Sequence, residues 1–65
     1  MKIVISMETD NAAFRNSFSK AVNGILLQVQ DRVNEMEEFP DKYKTPINFS
    51  LWDINGNKVG YVKFI

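Results

Sequence analysis

SFSKAVNGILLQVQDRVNEME, residues 17–37, is the stretch that decides the fold. Phe18, Val22, Ile25, Leu26, Val29, Val33 and Met36 recur within it at steps of three, four and one. That spacing places them on one stripe of an α-helix. Asn23, Gln30, Asp31 and Asn34 fall on the opposite side. A single amphipathic helix with one partner layer is therefore predicted, and the rest of the chain must supply the strands that cover the stripe.

The helix carries three local signals. Asn16 or Ser17 can cap its start by accepting an otherwise unpaired amide. Gly24 inside it costs roughly 1 kcal/mol relative to alanine, which reads as close packing over a strand; bare backbone kept open for binding is the rival reading. Asp31, Glu35, Glu37 and Glu38, with Asp41 beyond, gather toward the negative end of the helix dipole, where carboxylates are mildly unfavourable. Arg32, Lys42 and Lys44 offset part of that charge. The cluster is either a solvated face or an acidic patch offered to a basic partner.

Upstream, Lys2 to Met7 alternates as a half-buried strand, with Ile3, Ile5 and Met7 toward the core. Glu8-Thr9-Asp10-Asn11 breaks it with turn-forming side chains, and Ala12, Ala13 and Phe14 anchor the loop or form a short helical turn. Downstream, Phe39-Pro40 stops the helix and Pro46 opens a strand with Ile47, Phe49 and Leu51 on one face. Asn55-Gly56 is a strong two-residue hairpin signal before a last strand from Lys58 to Phe64. That turn pairs Asp53 with Lys58 as a rim ion pair, Leu51 with Gly60, Phe49 with Val62 and Ile47 with Phe64. It sets Trp52 opposite Val59 and Ser50 opposite Tyr61. A competing turn from Asp53, with Gly56 as a bulge, shifts the register by one and buries Tyr61 and Lys63 instead. The first register is preferred because it buries no lysine.

The expected fold is α+β: a single β-α-β-β domain over residues 1–65, one helix packed on one face of a three-stranded sheet. The last strand lies in the middle, and a right-handed crossover joins the parallel first and second strands.

Composition narrows function by exclusion. The 65 residues contain no cysteine and no histidine, which removes thiolate metal sites, disulfides and the commonest general base. Eight basic and eight acidic residues balance to zero, which argues against a nucleic-acid binder. The apolar runs are too short for a membrane span or a signal-peptide core, so a cytoplasmic setting is expected. Asp53-x-Asn55-x-Asn57 lacks the sixth-position glycine and twelfth-position glutamate of a calcium loop. No catalytic constellation or cofactor motif is present, and the expectation is a non-enzyme without cofactors.

The informative feature is the sheet face that one helix leaves uncovered. It is expected to expose Trp52, Val59 and Tyr61, with Val4 nearby, as stabilising cross-strand pairs, a protein-binding or homodimer face, or a stacking platform for single-stranded nucleic acid.

Met1-Lys2-Ile3-Val4-Ile5 followed by Glu8-Thr9-Asp10-Asn11-Ala12-Ala13-Phe14 resembles the opening of small proteins encoded by bacteriophages and prophages. Asp53-Ile54-Asn55-Gly56-Asn57-Lys58-Val59-Gly60 resembles their closing hairpin. Arg15-Asn16-Ser17 departs from the charged, often proline-bearing stretch that follows Phe14 in that group. The resemblance supplies no activity and no site residues; it implies a phage accessory protein in a bacterial host. The expected function is protein–protein binding to a host or phage partner, with anti-defence inhibition, anti-CRISPR included, as the sharpest form. The contact residues are Trp52, Val59 and Tyr61, with Glu35, Glu37, Glu38 and Asp41 as a second patch. A single-stranded nucleic-acid module and a homodimer using the open sheet face are the alternatives.

Overall fold

The computed structural model describes residues 1–36 and 47–65. Strand β1 spans Ile3–Met7, a 3-10 turn Ala12–Phe14, helix α1 Phe18–Asn34, strand β2 Ile47–Trp52 and strand β3 Lys58–Phe64. The sheet order is β1-β3-β2, with β3 antiparallel to both neighbours, so β1 and β2 run parallel on either side of it. The architecture is the expected β-α-β-β, with the valine- and aromatic-rich last strand in the centre.

The core joins one helix face to the central strand. Ile25 and Val29 of α1, Leu51 of β2, Val59, Val62 and Phe64 of β3, and Phe14 of the 3-10 turn are buried together. Phe49 and Phe64 meet edge to face at 6.4 Å, and Arg32 of α1 covers the Phe49 ring at 4.9 Å. Asn11 starts the 3-10 turn by accepting the Ala13 amide at 3.0 Å, which aims Phe14 inward. Both expectations for Ala12 to Phe14, anchor and helical turn, hold at once.

The predicted stripe is buried only at its centre. Phe18 and Val33 are exposed near its ends. A 17-residue helix is about 26 Å long, whereas a six-residue strand spans about 20 Å, so the helix overhangs the sheet. Ser17 is the N-cap residue, yet its side chain makes no capping bond. The helix ends at Asn34, short of Glu37. Ile3 and Ile5 of β1 correct a further expectation: although they share the core side of the sheet with Val62 and Phe64, they are 50% and 45% exposed. The helix lies toward β2 and the 3-10 turn, leaving Ile3 and Ile5 uncovered, while Met7 at the far end of β1 still packs against the core. The helix stop at Phe39-Pro40 and the strand opening at Pro46 lie outside the described residues.

The hairpin is where the structure departs furthest from expectation. Gly56 N–H donates to the Asp53 carbonyl at 3.1 Å, and Asp53 N–H donates to the Asn57 carbonyl at 2.9 Å. Gly56 has φ +82°, and no other residue type among those described has positive φ. This is the competing turn, with Gly56 as the bulge, and not a two-residue turn at Asn55-Gly56. Even so, Leu51 pairs with Gly60, Phe49 with Val62 and Ile47 with Phe64, as the preferred register requires. A second irregularity restores it. Trp52 faces Lys58, the next pair is Leu51 with Gly60, and Val59 is the extra residue between them. One bulge shifts the ladder and the other shifts it back.

Gly60 is needed at that point. A Cβ there would collide with the Ser6 carbonyl of β1, lying 2.8 Å from its carbon. The kinked β3 and β1 can approach only because this residue has no side chain.

Candidate functional site

Among the described residues, Asp53 is the most elaborately held side chain. It is 8% exposed. One carboxylate oxygen accepts the Asn55 and Asn57 backbone amides at 2.9 Å each, and the other accepts the side-chain amides of Asn11 at 2.7 Å and Asn57 at 3.3 Å. The Asn57 amide, ahead of the other donors, holds the Asp53 carboxyl below its ordinary value against the opposing effect of desolvation. This corrects the expected Asp53–Lys58 ion pair: amides, not an ammonium, satisfy the carboxylate. Donors occupy its acceptor positions, so Asp53 serves the turn. Among the described residues no group of three or more carboxylates, histidines or cysteines is placed to hold a metal ion.

Two of the proposed contact residues change character. Val59 is 6% exposed and belongs to the core, which corrects its assignment to an open face. The bulge supplies the physical reason, since the extra residue leaves the alternation that would have paired Val59 with Trp52. Tyr61 is half-buried, lies opposite Ser50 and Ser6, and has the Lys63 ammonium 5.2 Å from its ring centre. Trp52 is 48% exposed. Among the described residues it does not pair ring to ring with Tyr61, so the two do not form one aromatic platform.

Trp52 instead takes part in a groove. The depression, about 820 Å³, lies between the first half of α1 and the β2–β3 hairpin. Phe14 lines it, as do Gly24, Leu27 and Gln28 from α1 and Trp52 and Ile54 from the hairpin. Leu27 and Ile54 are exposed, Ile54 at 91%. Gly24 is exposed too, and a Cβ built there meets no atom within 4 Å. Close packing over a strand therefore does not explain this glycine.

Gln28 fixes the groove wall. Its side-chain amide donates to the Trp52 carbonyl at 2.6 Å, and its oxygen accepts the Trp52 N–H at 3.0 Å. Trp52 is at the outer edge of the sheet, so its backbone groups point away from β3. Gln28 meets both of them as a neighbouring strand would. Sequence reasoning missed this residue; its only signal was a polar side chain flanking the buried positions Ile25 and Val29.

Of the acidic cluster, Asp31 and Glu35 are described; both are exposed, and Glu35 is 3.6 Å from Arg32. Glu37, Glu38 and Asp41 lie outside the described residues. No helix among the described residues is long and apolar enough to cross a membrane. Comparison with protein-family models, with curated proteins and with solved structures returned no match.

Proposed function

We propose that this chain works by binding another protein, and that the groove between α1 and the β2–β3 hairpin receives it. The observation that carries the reading is the anchoring of Trp52 by Gln28. A half-exposed tryptophan on a backbone fixed at both N–H and C=O is held at the groove wall, so binding need order only its side chain. Leu27 and Ile54 extend the apolar rim, and the open backbone at Gly24 lets a partner approach closely. Trp52 is retained from the residues expected to make contact, Val59 is withdrawn, and Tyr61 lies outside the groove.

The resemblance to phage-encoded proteins supplies the setting: an accessory protein in the cytoplasm of a bacterial host, acting by occluding a host protein, with inhibition of a defence system as the specific form. Absence of net charge favours a protein partner over single-stranded nucleic acid. The test is affinity capture from host lysate, followed by quantitative binding of the purified partner. Trp52→Ala should weaken that binding at least tenfold in a folded variant, while Tyr61→Ala leaves it within a few-fold. Equal binding by wild type and Trp52→Ala would remove the groove as the contact surface.

A further inference from the structure

The two edges of the sheet are finished differently. On β2, Gln28 occupies the outward N–H and C=O of Trp52. On β1, Lys2 and Ile65 exchange both backbone hydrogen bonds, at 2.6 and 2.9 Å, and Glu8 N–H donates to Val59 at 2.7 Å. Lys2, Val4, Ser6 and Glu8 therefore turn their backbone groups toward β3, while Ile3, Ile5 and Met7 turn theirs outward. Among the described residues no strand lies on that outer side. The strand holds no proline and no charge between Lys2 and Glu8 to discourage pairing.

We propose that this edge joins a second copy of the chain, β1 to β1 and antiparallel, about a twofold axis through Ile5. In that register Ile5 faces Ile5, Ile3 faces Met7 and Val4 faces Ser6 of the second copy. Lys2 faces Glu8 on both sides of the axis. The outward-facing residues Ile3, Ile5 and Met7 then fall on the positions that exchange both hydrogen bonds. The half-exposed Ile3 and Ile5 side chains become cross-strand apolar pairs on the core side of a continuous sheet. Sliding the register by two residues either way shortens the ladder and separates Lys2 from Glu8. Charge and apolar pattern thus select the same self-complementary arrangement, as a closed twofold interface requires. It leaves the α1–hairpin groove free and is independent of the function proposed above.

Sedimentation equilibrium of the full chain over a concentration series tests this. The mass should rise with concentration from 7.5 kDa toward twice that value. Ile5→Lys, at an exposed position and checked for folding by circular dichroism, should hold the chain monomeric throughout. Lys2→Glu should raise the dimer dissociation constant about tenfold by opposing like charges, and Lys2→Glu with Glu8→Lys should restore it. A chain that stays monomeric at every concentration overturns the proposal, as does a dimer that survives Ile5→Lys. A double variant no better than Lys2→Glu overturns the register.

Discussion

The side-chain amide of Asn11 donates to the Asp53 carboxylate at 2.7 Å, which fastens the loop after β1 to the hairpin between β2 and β3. The same Asn11 caps the 3-10 turn that buries Phe14, and the same Asp53 holds the amides of Asn55 and Asn57. This bond and the one from Glu8 N–H to the Val59 carbonyl at 2.7 Å couple the Glu8–Phe14 and Asp53–Gly60 stretches, which are far apart in sequence.

That coupling has a pH signature. The Asp53 carboxyl titrates below its ordinary value, so its ionised form is favoured in the folded state. Its contribution to stability is complete above the ordinary aspartate value and disappears as pH falls through the lower, folded value. Wild-type stability, followed by thermal melts across an acid series, should decline over that interval. Asp53→Asn should be less stable at neutral pH and show a flatter acid limb. Asn11→Ala should move the Asp53 titration, read from its carboxyl carbon resonance, upward toward the ordinary value.

The glycines separate three physical roles. Gly24→Ala should stabilise the chain by about 0.5–1 kcal/mol, because it improves helix propensity and its Cβ meets nothing. Gly56→Ala should cost about 1–2 kcal/mol for a left-handed conformation. Gly60→Ala should cost more than either, since its Cβ strikes the Ser6 backbone and β3 must move away from β1. Chemical denaturation of the three variants checks the order.

Gln28→Ala removes both bonds to Trp52. A loss of about 1 kcal/mol is expected for this exposed pair. Partner binding should weaken beyond what stability explains, because Trp52 is then free to move. Gln28→Glu keeps an acceptor for the Trp52 N–H but opposes the Trp52 carbonyl, and should fall between the two.

The fold was legible where alternation and helical spacing act over several residues. Ile47, Phe49 and Leu51 against Phe64, Val62 and Gly60 set the β2–β3 register, and the stripe around Ile25 and Val29 set the helix face. The hairpin tip was not legible, because Asn55-Gly56 suits more than one turn and the choice depended on acceptors at Asp53 and donors from Asn11 and Asn57. The compensating bulge at Val59 has no local signature: a valine reads the same whether it faces out or supplies the extra residue of a kinked strand. From that single position followed the misplacement of Val59 and of the surface around Trp52. The exposure of Ile3 and Ile5 was hidden for another reason, since their pattern fixes a side of the sheet and not whether the helix reaches it.

The groove bounded by α1 and the hairpin is the proposed contact surface. Trp52 is the only tryptophan in the chain, so its indole N–H gives one assignable nitrogen resonance, and the Gly24 amide reports from the opposite wall. Titration of the nitrogen-15-labelled chain with the protein it captures should shift or broaden both signals first, with Tyr61 and Lys63 unaffected. Saturable binding that leaves Trp52 and Gly24 unmoved while resonances elsewhere respond would place the partner outside this groove.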